Sequence, residues 1–309
     1  MTNEKPLRRT NKISETLAIG LFWVRAFLAR YFGLSRFGRI EYWIYGHSYA
    51  KTKFQKSESR WLRDKRGNQL LLNPHSFIDG NIFLSGDYEP STRNFIESHV
   101  TSGAICFDIG ANIGLMTIDF AKKVGPKGQV LAFEPHPEIS KVLSANIERN
   151  NLSDRVQIFN CGLADANRAG LLHTFNDNWS NKGMSSLVSS HCDGLDQKLE
   201  VPLMTLDRFV ADHEIKKIDY IKVDIQGAEL LFLKGAKETL TRLLPCLIME
   251  ISSIDLSQAG LTAENIFDEL IRLGYQNFFN LVSNGFELES FDVSKVSENF
   301  DASAVICRK

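Results

Sequence analysis

Cysteine is scarce in this 309-residue chain: there are five, and no two stand close enough to form a CxxC pair. That excludes the usual zinc-binding spacings and a disulfide-stapled scaffold. Cys106, Cys246 and Cys307 lie inside apolar runs and read as buried free thiols of a reducing compartment. Long uncharged apolar runs are also lacking. In the apolar N-terminal stretch only residues 16–24 are free of charge, against about 20 residues for a membrane-spanning helix. A secretory leader fits equally poorly, because Arg25 stands where a small-residue cleavage site belongs. Net charge is nearly absent, at −1. With 43% hydrophobic and 24% charged residues, the composition is that of an ordinary globular chain of one large domain or two modest ones.

The small net charge hides a division. Residues 1–66 carry 15 Lys and Arg against 5 Asp and Glu, and the remainder 21 against 32, so a head of +10 precedes a body of −11. The chain is accordingly divided into a basic, aromatic-rich helical extension, 1–66, and a body, 67–309. In the head, Ile13, Leu17, Leu21, Val24 and Leu28 recur at intervals of three and four, which predicts an amphipathic helix over 13–31. Such a helix docks on the body or on a second copy, giving a homo-oligomer, or lies in a membrane interface as a peripheral contact. Docking is the reading we favour, in a cytoplasmic protein. Residues 51–66 are basic but belong to no nucleic-acid module, so no nucleic-acid partner is expected.

From residue 67 the pattern becomes one of strands and helices in alternation. Short apolar runs at 104–109, 129–134, 155–160, 218–224 and 246–251 read as strands, with helices at 91–100, 115–123, 137–150, 228–242 and 262–273 between them. The stretch between 160 and 218 reads as less regular. Strands at 276–282, 285–288 and 303–307 close the chain, with a hairpin signal at Asn284-Gly285. Alternation with short loops implies an α/β fold, a mostly parallel sheet with helices on both faces. Ligands of such sheets bind beyond the carboxyl ends of the strands.

The first strand-to-helix turn is Asp108-Ile-Gly110-Ala-Asn112-Ile-Gly114. A nicotinamide fingerprint, GxGxxG, fails here: Asn112 and Leu115 replace its second and third glycines. Asp108 would repel a pyrophosphate but suits a ligand bearing an ammonium or sulfonium group, and S-adenosylmethionine bears both. Gly110 and Gly114 are expected to open the backbone to that ligand. Glu134 ends the next strand at the spacing suited to ribose hydroxyls, and His136 follows it as a candidate adenine contact. Asp224 and Glu250 end two further strands.

These motifs, DIGANIG, FEPHPE, IKVDIQGAELLFLKGA and LIMEI, with GDYEP at residues 86–90, resemble the FkbM-type S-adenosylmethionine-dependent methyltransferases. The resemblance covers residues 67–307. Gln226 stands where many members have Glu. The resemblance implies a Rossmann-like seven-stranded sheet of order 3-2-1-4-5-7-6, with strand 7 antiparallel. It further implies methyl transfer to a hydroxyl oxygen of a small-molecule or glycan acceptor.

A hydroxyl is a weak nucleophile and needs a base or a metal. Asp224 is the first candidate for the base. Glu229 and Glu250 are candidate substrate or metal contacts, and their oxygens suit Mg2+ or Mn2+. Lys222, two residues before Asp224, shares its strand face and reads as a structural ion-pair partner. Tyr88 and Glu89 are candidates to close over the donor, and Asn178, Ser185 and Ser186 fall in a candidate acceptor loop. The alternative function is a non-catalytic S-adenosylmethionine-binding scaffold acting through its basic head.

Overall fold

A computed structural model describes residues 59–73, 76–174, 185–188, 197–281, 287–297 and 300–308. The helix expected at 13–31, Asn178 and the Asn284-Gly285 turn lie outside the described residues. The first described elements are β1 (Arg60–Arg63) and β2 (Gln69–Leu72), an antiparallel hairpin. The division drawn between residues 66 and 67 cuts through its turn.

The central sheet is built from β3 (Ile105–Ile109), β4 (Gln129–Phe133), β5 (Val156–Phe159), β9 (Tyr220–Val223), β10 (Cys246–Ile251), β11 (Asn277–Leu281), β12 (Leu288–Ser290) and β13 (Ala302–Arg308). Its order is β12-β11-β13-β10-β9-β3-β4-β5. The five strands from β10 to β5 run parallel, and β13 lies antiparallel between β10 and β11. The sheet therefore has eight strands and not the expected seven. The addition is β12, a three-residue edge strand paired with β11. The strand read at 285–288 anticipates it, and its described residues are Leu288–Ser290.

Successive residues of the parallel strands serve opposite layers, as the pleat requires. Phe107, Ile109, Ile221 and Val223 face a layer shared with α5 (Leu206–Asp212), α6 (Glu229–Lys234), α7 (Lys237–Leu243), α8 (Ser253–Gln258) and α9 (Ala263–Arg272). Cys106, Val130 and Ala132 face the other layer, with α2 (Pro90–His99), α3 (Leu115–Val124) and α4 (Pro137–Arg149). The helix expected at 228–242 is two helices. Gly235 lies between them against the carbonyl of Ala164, where a Cβ would overlap the oxygen.

The stretch read as irregular contains a second sheet. β6 (Gly162–Leu163), β7 (Arg168–Thr174) and β8 (Gln197–Met204) assemble in the order β6-β8-β7. Only one face is buried, through Leu172, Val201 and Leu203 beside Ala164. In β8 Leu199, Val201 and Leu203 alternate with Lys198, Glu200 and Pro202, but a proline inside the run argues against a strand and hides it. One further helix, α1 (Phe77–Ser85), precedes α2.

Candidate functional site

Beyond the carboxyl ends of β3, β4, β9 and β10 lies a cavity of about 200 Å³. Gly110, Asn112, Phe133, Glu134 and Pro135 line it from β3 and β4. Tyr88, Asp224, Gln226 and Glu250 also line it, and Leu163, Leu172, Ser185 and Leu187 bring the second sheet to its wall.

The β3–α3 turn takes left-handed backbone three times in five residues, at Gly110 (φ 79°), Asn112 (φ 50°) and Gly114 (φ 89°). The amides of Gly110 and Ala111 both donate to the Phe133 carbonyl, at 3.0 Å. A Cβ on Gly110 would overlap the Asp224 carbonyl oxygen, and one on Gly114 would overlap the Leu143 side chain. Of the two glycines expected to admit a ligand, Gly110 lines the cavity and Gly114 is not among its lining residues. Gly110 also lets β3 and β9 meet, and Gly114 seats α3 on α4.

Glu134 is fixed by this turn. Its Oε2 accepts from the Asn112 amide and its Oε1 from the His136 amide, both at 2.9 Å. Each oxygen keeps capacity for another donor. Burial raises its pKa to about 7, although those two amides favour the charged form. His136 is not over the cavity: it is buried at the start of α4, where Nδ1 accepts from the Glu138 amide at 3.3 Å.

Asp108 is set behind the cavity wall. It is fully buried, accepts from the Thr117 hydroxyl at 2.5 Å, and its Oδ1 has no hydrogen-bond partner. Burial raises its pKa, against the opposing effect of Lys222. Lys222 is its register partner on β9 and donates to Asp224 Oδ2 at 2.9 Å. Burial opposes the charge of Lys222, but Asp224, Glu89 and Asp108 outweigh it and hold the ammonium protonated. One lysine thus serves three acids at the ends of β3 and β9 and the start of α2.

Asp224 faces the cavity. Burial would raise its pKa, but Lys222 and hydrogen bonds from Glu250 and Gln226 bring it well below the ordinary carboxylate range. Glu250 moves the opposite way, driven up by burial and by the charge of Asp224. The two neighbouring acids are thus pushed in opposite directions. Gln226 joins them, its amide donating to Asp224 Oδ1 at 2.9 Å and to Glu250 Oε2 at 3.3 Å.

Glu229 does not join this group. It is buried, and its Oε1 accepts from the amides of Ile225 and Gly227 at 3.3 and 3.2 Å, closing the loop that enters α6. Among the described residues no three His, Cys, Asp or Glu side chains are grouped to hold a metal ion. The two acids expected as metal contacts are engaged instead, Glu229 by its own loop and Glu250 by the Gln226 amide, and the oxygens of Asp224 beside them by an ammonium and an amide. The donor set does not fit Mg2+ or Mn2+.

Sequence reasoning passed over the support beneath Tyr88. Arg93, fully buried on α2, donates to Asp64 in the hairpin turn at 2.6 Å, to Asp119 on α3 at 2.6 Å, and to Asp87. Asn68 donates to Asp64 and Asp119, at 2.9 Å each. The clamp fixes residues 87–89 across the cavity. Glu89, left-handed (φ 46°) ahead of Pro90, approaches Lys222, and burial raises its pKa to about 7. An arginine on a helix reads as a solvated charge, so only its spacing from the GDYEP segment could have hinted at this role. Ser186 of the acceptor loop is also tied in, donating to the Gln226 carbonyl at 2.7 Å.

A sequence profile of the methyltransferase FkbM domain matches residues 108–276. The AMB antimetabolite synthetase AmbE of Pseudomonas aeruginosa is 27% identical over 67% of this chain and 11% of its own length. Methyltransferase sdnD of Sordaria araneosa is 31% identical over 46% of this chain and 63% of its own. The 2-O-methyltransferase NoeI of Sinorhizobium fredii is 28% identical over 52% of this chain and 70% of its own. The chain thus spans about a tenth of the first of these relatives and under two thirds of the second. The profile includes the β3–α3 turn, Glu134, the Asp224–Gln226 loop and Glu250, and on that match the chain belongs to the FkbM methyltransferase family.

Proposed function

We propose that this chain transfers a methyl group from S-adenosylmethionine to a hydroxyl oxygen of a sugar, glycolipid or secondary-metabolite acceptor. One observation carries the reading: a single cavity is lined by Glu134, the β3–α3 turn and Asp224 together. Family membership supports methyl transfer, and the relative named as a 2-O-methyltransferase supports oxygen as the target.

The donor supplies a methyl group already activated on a sulfonium, so the chain must hold, align and take up a proton. Glu134, steadied by two amides, accepts the ribose hydroxyls. Asp108, with a buried oxygen lacking a partner, completes the negative environment behind the turn. Asp224 carries the fixed negative charge that draws a cationic donor and accepts a hydrogen bond from the acceptor hydroxyl. Its low basicity still suffices, because an oxygen that is gaining a methyl group becomes strongly acidic. Asp224 then takes the proton as the new bond forms. Aligning the two reactants is itself worth up to about 7–11 kcal/mol.

A screen with isotopically labelled S-adenosylmethionine against glycans, lipids and small metabolites tests this. Labelled product is expected in wild type, and Asp224→Asn should lower turnover by roughly 100-fold or more with donor affinity nearly unchanged. Tight donor binding with no methylated product from any acceptor class would refute the reading. Collapse of donor binding in Asp224→Asn would move that residue to the donor pocket.

A further inference from the structure

Gln226 combines three observations. Its backbone is left-handed, with φ 53°, a conformation that a residue with a Cβ seldom adopts. Its carbonyl is anchored by the Ser186 hydroxyl at 2.7 Å. Its side-chain amide reaches two carboxylates of the cavity wall, Asp224 at 2.9 Å and Glu250 at 3.3 Å. Strained backbone concentrates where the surroundings demand one side-chain direction, and here that direction aims two N–H donors at two acids.

Two adjacent carboxylates in a partly dry cavity need something positive between them. A divalent cation is one answer; a proton and hydrogen-bond donors are another. Asp224 already accepts from Lys222 at 2.9 Å on its second oxygen. The amide of Gln226 takes the remaining inner position.

We infer that Gln226 is a positioning residue that ties Asp224 to Glu250 in place of a divalent cation, so that this wall of the cavity works without a metal ion. The inference rests on the proposed function only in assigning this wall to the acceptor. The bridge itself is a property of the folded chain. Replacing the amide by a carboxylate removes both donors and adds a third acid at the same reach, which converts the pair into an oxygen cluster suited to Mn2+ or Mg2+.

The test is Mn2+ titration of the full chain, read by electron paramagnetic resonance, with no methyl acceptor required. Wild type should show no Mn2+ site that Asp224→Asn removes. Gln226→Glu should bind Mn2+ at least tenfold more tightly than wild type, and adding Glu250→Gln should abolish the gain. Circular dichroism establishes that each variant is folded. Should Gln226→Glu not fold, Gln226→Met carries the test. It removes the donors at similar shape and should bind Mn2+ at least threefold more tightly than wild type. A wild-type Mn2+ site lost in Asp224→Asn would overturn the inference, as would a folded Gln226→Glu, or Gln226→Met in its place, that binds no better than wild type. A failed acceptor screen leaves these outcomes untouched, so failure of the proposed function and failure of this inference are distinguishable.

Discussion

Glu134 and His136 stand two residues apart at the end of one strand, yet the structure gives them different work. Both oxygens of Glu134 are turned toward backbone amides at the cavity, whereas His136 is spent on capping α4. Glu134→Gln should therefore weaken S-adenosylmethionine binding by at least about 1.5 kcal/mol, the scale of a charge-assisted hydrogen bond. His136→Asn, which retains a cap, should leave it nearly unchanged; calorimetric titration reads both. The acids of the site also set a pH dependence. Glu89, Glu134 and Glu229 rise from 4.5 to about 7 on folding, chiefly through burial. The folded state then binds more protons than the unfolded chain between those values, so stability falls as pH rises through that window. The melting temperature should be higher at pH 5 than at pH 8, by about 3 °C or more for a domain of this size. Glu229→Gln should reduce the difference, and a flat or rising profile in scanning calorimetry would contradict it. Asp108, Glu134, Asp224 and Glu250 were legible as acids at strand ends, because an acid that closes an apolar run is rare without cause. Their partners were not, since whether an oxygen meets a ligand or an amide depends on loop geometry that the letters do not carry.

At the level of elements, the clamp on Arg93 decides how the segment before α2 sits. Three carboxylates from the hairpin turn, residue 87 and α3 converge on one buried guanidinium. Removing one member of a buried charge group leaves the others unpaired, a loss of about 3–5 kcal/mol. Arg93→Met should cost that much in urea unfolding. Arg93→Lys should recover part of the stability but not the forked geometry. The parallel strands were readable because each is a short apolar run followed by a helical period, and a sheet covered on both faces has no other pattern. The second sheet was not readable: β7 and β8 pair over seven positions, but Gly170 in β7 and Pro202 in β8 argue against strands when read from the sequence. The break between α6 and α7 was likewise hidden, because Gly235 owes its place to Ala164, some seventy residues away.

The whole molecule joins an acidic body to a basic head through a hairpin that belongs to both. Asp64 lies in the part assigned to the head, yet it holds Arg93 at the heart of the clamp. Deleting residues 1–58 should therefore preserve folding and donor affinity, whereas deleting 1–66 should lower the melting temperature by several degrees through loss of β1 and Asp64. Equal behaviour of the two truncations would separate the hairpin from the stability of the body. No described helix is long and apolar enough to cross a membrane. If residues 1–58 rest on a membrane surface, full-length chain should co-sediment with anionic vesicles, less so as salt rises, and the shorter chain should not. Negligible vesicle binding with a change in sedimentation mass on truncation would assign the head to assembly. The second sheet keeps a small core of its own, Ala164, Leu172, Val201 and Leu203, apart from the two layers of the main sheet. It meets the cavity through Gly162, Leu163 and Leu172, with Ser185 and Leu187 beside them. Substitutions can accumulate there without disturbing the β3–α3 turn, so descendants of one such chain could change what they modify while inheriting unaltered the means of doing so.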